Sequence, residues 1–164
     1  MERTALFPGS FDPFTLGHKA VAQIGLSMFD RLVIGVGVNG GKRGLMSPER
    51  RKELIERALE ADGQFAGRIE VAVYEGLTGD FCRARGIGHI IRGLRTGADL
   101  DFERAAAAAN AQFFPEITTV CVLTPAGLAH VSSSLVREIL VAGGDPSPLL
   151  PPLPDNMNIK DFFE

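Results

Sequence analysis

The chain has 164 residues, enough for one domain with a sizeable core, and its 45% hydrophobic and 23% charged residues exclude collagen-like, disordered and membrane-spanning compositions. A formal net charge of −3 argues against broad, charge-driven binding to nucleic acid, although it leaves room for local basic sites.

Met1-Glu2-Arg3-Thr4 enters the first apolar run directly, with no apolar leader segment and no small-residue cleavage site, so a cytoplasmic location is expected and no membrane partner. Thr4 to Phe7 predicts a buried strand. Pro8-Gly9-Ser10-Phe11-Asp12-Pro13-Phe14-Thr15-Leu16-Gly17-His18 follows, a turn rich in glycine and proline that opens a helix in which Val21, Ile24 and Met28 recur at helical spacing. His18 is thereby placed on a first helical turn, where unpaired backbone N–H groups and the positive end of the helix dipole favour an anion. Leu32 to Val38 predicts a second strand, followed by Asn39-Gly40-Gly41-Lys42 in a loop. Ser47-Pro48 marks the next helix through an N-cap and a proline at its first position, with Leu54, Ile55, Ala58 and Leu59 as its buried stripe.

Ile69 to Tyr74 predicts a third strand, with Gly76 to Thr78 after it, and Cys82 falls in a helix. His89 to Ile91 predicts a fourth strand, continued by Arg92-Gly93-Leu94-Arg95, whose two guanidinium groups suit phosphate oxygens. The run Ala105 to Ala109 predicts a packed helix, because alanine is the best helix former and admits close neighbours. Thr118 to Leu123 predicts a fifth strand, in which Cys121 reads as a small core residue like Cys82. His130 to Ser134 follows, with serines at another helix start. Gly143 to Pro154 carries prolines at 146, 148, 151, 152 and 154, which predicts a loop before a short terminal element around Met157 to Phe163.

Strands that are apolar throughout and alternate with helices predict an α/β fold: a single-domain, Rossmann-like, doubly wound parallel five-stranded sheet with helices on both faces. It spans residues 1–164, with the proline-rich loop and C-terminal element at 143–164. Each of the five strands is followed by one of the motifs, as expected for ligands bound beyond the carboxyl ends of parallel strands. His89 and His130 lack Cys, Asp or His neighbours at metal-ligand spacing, so no protein-bound metal is expected. No Ser-His-Asp arrangement and no G-x-x-x-x-G-K-S/T string is readable, which demotes hydrolase and P-loop kinase readings.

The T-x-G-H element at Thr15 to His18 resembles the signature of the nucleotidyltransferase superfamily. The surrounding P-G-S-F-D-P, the I-R-G-L-R at 91–95 and the S-S-S-L-V-R-E at 132–138 resemble bacterial phosphopantetheine adenylyltransferases over residues 4 to 138. The resemblance implies transfer of the adenylyl group of ATP to 4′-phosphopantetheine, giving dephospho-coenzyme A and pyrophosphate. It implies His18, Lys42 and Arg95 as catalytic residues, and Ser10, Lys42, Thr78 and Arg92 as contacts to phosphopantetheine. ATP would lie on Ser10, Phe11, His18, Gly93, Leu94, Arg95, Glu103 and the stretch Leu128, Ala129, His130, Val131, Ser132, Ser133 and Ser134. It further implies Mg²⁺ carried mainly by the ATP phosphates, a homohexamer, and coenzyme A as a feedback inhibitor. Departures from the family pattern are Ser10 for threonine, Leu16 for asparagine, Ala20 for aspartate, Leu128 for an aromatic residue, and Val131 and Arg137 as conservative changes. The alternatives are a nucleotidyltransferase acting on nicotinate mononucleotide or glycerol 3-phosphate, and a catalytically silent nucleotide or coenzyme A sensor.

Overall fold

A computed structural model describes residues 2–38, 44–60, 62–155 and 157–163. The expected alternation is present: β1 (Thr4–Gly9), α1 (Leu16–Met28), β2 (Arg31–Val38), α2 (Pro48–Glu60), β3 (Ile69–Glu75), α3 (Thr78–Ala84), β4 (His89–Leu94), α4 (Gly97–Phe113), β5 (Thr118–Leu123) and α5 (Ser133–Val141). The strands pair in parallel in the order β3-β2-β1-β4-β5. The chain adds strands on one side of β1 and then crosses to the other, so the loop after β1 sits where the strand order reverses, the usual ligand position in such sheets.

Side chains alternate across the pleat, so the central strands feed two cores. Ala5 and Phe7 of β1 join Leu32, Ile34 and Val36 of β2 under Val21, Leu26, Ile55 and Leu59 of α1 and α2. Leu6 and Val33 point the other way, toward Cys82, Ile87, Phe114 and Ile117. The C-terminal segment forms a third cluster, in which Leu150, Ile159 and Phe162 pack on Met46, Leu54 and Val136. That cluster seats the terminal element against α2 and α5. The helices stand close to the sheet where glycine permits it. A Cβ on Gly93 would lie 2.6 Å from Val21 Cγ2, and a β-branched side chain in a helix has little freedom to move away. Gly93→Ala is therefore expected to destabilise the fold by about 1–3 kcal/mol, measured by urea denaturation.

Two sequence expectations are corrected. Cys121 is exposed rather than buried, and Leu123 on the same face of β5 is 77% exposed, because β5 is an edge strand that α4 covers only in part. The alanine run does form a helix, but Glu103 is the only buried residue of α4 among those described, and Phe102 and Phe113 are largely exposed. Alanine propensity made the helix; this chain alone does not bury it.

Candidate active site

The loop from Pro8 to Thr15 is suspended by its carbonyl oxygens from four distant side chains. Arg92 Nη1 donates to the Pro8 carbonyl at 2.7 Å, Arg51 Nη1 to Ser10 at 2.9 Å, Arg137 Nη1 to Asp12 at 2.6 Å, and Ser133 Oγ to Pro13 at 2.8 Å. The buried Asp12 carboxylate in turn accepts from the Leu45 and Met46 amides at 2.7 and 3.0 Å. The loop is thus tied to α2, β4 and α5 at once. Phe11 adopts φ 50°, in the left-handed region, and its ring packs on Phe7 and Phe14.

His18 occupies the third position of α1 and closes a capping box with the buried Thr15. The Thr15 amide donates to His18 Nδ1 at 3.0 Å, so in the neutral ring the proton belongs on Nε2. Phe14 stacks on the imidazole at 5.5 Å and Phe11 meets it edge-on at 5.0 Å. Burial, together with the positive charges of Arg95 and Arg92, lowers its pKa from 6.5 to about 4. At neutral pH His18 is therefore an uncharged N–H donor of fixed tautomer.

Arg92 grips Glu103 with two bonds of 2.7 Å, Nε to Oε2 and Nη2 to Oε1. With the bond to Pro8 this engages three of the five N–H groups of the guanidinium, leaving two for an anion. Arg95 is oriented by Asp99, whose carboxylate accepts from the Arg95 and Thr96 amides at 2.8 and 3.0 Å and lies 3.6 Å from Arg95 Nη2. The three serines divide their work. Ser132 caps α5 by accepting from the Leu135 amide, Ser133 donates to Pro13, and Ser134 Oγ accepts from Arg137 Nη2, which leaves its own proton free.

These groups line a cavity of about 370 Å³ walled by Ser10, Phe11, His18, Arg92, Gly93, Arg95, Glu103 and Val131 to Ser134. A second cavity of about 420 Å³ shares Pro8, Gly9, Ser10, Arg92 and Glu103 with the first, and continues along Tyr74, Thr78, Phe102 and Asn110. Of the residues expected from sequence, Thr78 lies on the second cavity and not the first, with its hydroxyl 2.8 Å from Tyr74 Oη. Leu94 is buried, and Leu128, Ala129 and His130 stand outside the walls of both cavities. Lys42 lies outside the described residues. Arg51, Asp12 and Asp99 were not singled out in the sequence. Arg51 is hidden among the solvated charges of α2, and Asp12 within a motif noted for its glycines and prolines.

The profile of the cytidylyltransferase-like family matches residues 6–139. The chain is 43% identical over 152 residues to the phosphopantetheine adenylyltransferase of Anaeromyxobacter dehalogenans strain 2CP-C, covering 93% of this chain and 90% of that protein. It is 42% identical over 149 residues to the phosphopantetheine adenylyltransferase of Flavobacterium psychrophilum, covering 91% and 95%. Among solved structures, a bifunctional NMN adenylyltransferase/ADP ribose pyrophosphatase from Francisella tularensis superposes with a TM-score of 0.68 at 18% identity, over 99% of this chain and 48% of that one. The last likeness is one of fold alone. With two relatives above 40% identity along nearly their whole length, the chain belongs to the phosphopantetheine adenylyltransferases of the cytidylyltransferase-like family.

Proposed function

We propose that this chain transfers the adenylyl group of ATP to 4′-phosphopantetheine, yielding dephospho-coenzyme A and pyrophosphate, as a step of coenzyme A biosynthesis in the cytoplasm. The observation that carries this reading is the pair of cavities meeting at Ser10 and Arg92. The first carries His18, Arg95 and the serines of α5 as phosphate-binding donors, and beyond the shared Arg92 and Glu103 the second is lined by uncharged residues, among them Tyr74, Thr78, Phe102 and Asn110, as a triphosphate and a pantetheine arm require. A phosphate held at the shared wall would face the α-phosphorus of a nucleotide in the first cavity.

The acceptor phosphate has a second pKa near ~6, so at neutral pH it is already the dianionic nucleophile and needs no general base. An acceptor oxygen attacks the α-phosphorus, the bond from that phosphorus to the β-phosphate oxygen breaks, and pyrophosphate leaves with its electron pair. The protein's part is positioning and charge stabilisation. In this reading His18 donates from Nε2 to the α-phosphoryl oxygen, Arg92 and Ser10 hold the acceptor phosphate, and Lys42 bridges the two. Arg95, Ser134 and the first amides of α5 hold the leaving pyrophosphate. Asp99 and Glu103, the carboxylates on the first cavity, are committed to hydrogen bonds with Arg95, Thr96 and Arg92, so Mg²⁺ would enter on the triphosphate as part of that substrate. Coenzyme A, which contains the product's two halves, would compete across both cavities. The exposed Leu100, Phe102, Phe113 and Leu123 support assembly into a homohexamer, to be checked by light scattering, where a stable monomer would contradict it.

Pyrophosphate release from Mg·ATP tests the assignment, with 4′-phosphopantetheine, nicotinate mononucleotide and glycerol 3-phosphate compared as acceptors. Release with phosphopantetheine alone is expected; release with another acceptor instead would reassign the substrate. The pH profile provides a second check. Because His18 in the free enzyme takes up a proton only near pH 4, the acid limb of kcat/KM for the acceptor should follow the acceptor's own ionisation and break near ~6. His18→Asn should leave that break where it is.

A further inference from the structure

Arg51 is 8% exposed, lines neither cavity, and is bonded to two backbone carbonyls, Met46 at 3.0 Å through Nε and Ser10 at 2.9 Å through Nη1. Among the described residues no carboxylate lies within ion-pairing distance of it. The Asp12 carboxylate is nearby, with Asp12 Oδ2 and Arg51 Nη2 both flanking Gly44, but among the described residues the guanidinium bonds directly only to the two carbonyls, so what it fixes is backbone. The consequence lies on the far side of the peptide it holds. In a trans peptide the C=O and the following N–H point in opposite directions within one plane. The peptide from Ser10 to Phe11 is trans, so drawing the Ser10 carbonyl back toward α2 turns the Phe11 N–H away from α2. Ser10 and Phe11 both line the first cavity, and among the described residues nothing accepts a hydrogen bond from the Phe11 amide. Phe11 is also the residue held at positive φ, a conformation that a non-glycine residue keeps only under such constraint.

We infer that Arg51 is a positioning residue that sets the Ser10–Phe11 peptide so that its N–H faces an anionic oxygen of the bound nucleotide. Arg137 and Ser133 hold the Asp12 and Pro13 carbonyls farther along the same loop, and among the described residues Arg51 alone bonds the Ser10 carbonyl. The inference rests on the nucleotide-binding reading of the first cavity, but not on which acceptor is used.

The test uses full-length protein labelled with ¹⁵N-phenylalanine, in which the Phe11 amide is assigned by its loss in Phe11→Leu. Titration of wild type with Mg·ATP should move that amide proton strongly downfield, and Arg51→Lys, which keeps the charge but not the fork, should abolish most of the shift. Arg51→Lys should also lower kcat/KM for ATP by about 10- to 100-fold, the scale of losing one hydrogen bond to a charged group. Its KM for the acceptor should change less than twofold, and its thermal midpoint should stay near that of wild type. Arg51→Lys turning over like wild type while Arg51→Met is impaired would assign the effect to charge and overturn the inference. So would a Phe11 amide that ignores ATP in a wild-type enzyme that transfers adenylyl groups. An amide that shifts in a protein showing no transfer would instead leave the inference standing and refute the proposed reaction.

Discussion

Replacing His18 by alanine is expected to lower kcat by about 10²-fold or more while leaving ATP affinity nearly unchanged, the pattern for a donor whose bond strengthens only as charge develops. The structure supports that split. Nδ1 is occupied by the Thr15 amide, the ring is held between aromatic neighbours, and the proton on Nε2 is the group left to act. The triphosphate would still be held by Arg95 and the first turn of α5. His18→Gln, with a donor at a different reach, should recover a small part of the loss. Burst and steady-state kinetics with isothermal titration of ATP check the prediction, and a variant with normal turnover would remove His18 from the mechanism.

Arg92→Ala is expected to produce two separable losses. It should weaken phosphopantetheine far more than ATP, because in the proposed arrangement Arg92 holds the acceptor phosphate at the shared wall while Arg95 and Ser134, on the first cavity alone, still hold the triphosphate. It should also destabilise the fold by about 3 kcal/mol, because it strands Glu103, which is 6% exposed and held by two 2.7 Å bonds from Arg92. Replacing both partners by methionine should restore most of the stability, since the stranded carboxylate is gone, but not the acceptor affinity. Chemical denaturation and acceptor KM measured on both variants distinguish the two effects. An equal loss of affinity for both substrates, or recovery of acceptor binding in the double variant, would contradict the assignment.

The architecture was legible because its signals are local. The five apolar runs and the caps at Ser47 and Ser132 each depend on residues a few positions apart, and the strands and helices fall where those signals place them. Exposure was less legible. Nothing within Thr118 to Leu123 says that β5 is the outer strand, so Cys121 reads as core, and an alanine run gives helix without telling what lies against it. The supports of the candidate site were the hardest to see, for a physical reason. Arg51 reaches Ser10 across 41 positions and Arg137 reaches Asp12 across 125, and neither arginine differs locally from a solvated helix charge. Only the folded sheet with its helices in place brings these partners together.

In the proposed reaction ATP and the acceptor lie side by side across the Ser10–Arg92 wall and react directly. Exchange of labelled pyrophosphate into ATP tests this most directly. Direct transfer predicts no exchange when the enzyme holds Mg·ATP and pyrophosphate alone, rapid exchange once 4′-phosphopantetheine and dephospho-coenzyme A are added, and loss of that exchange in His18→Ala. Exchange with ATP and pyrophosphate alone would reveal an adenylylated enzyme and contradict the account.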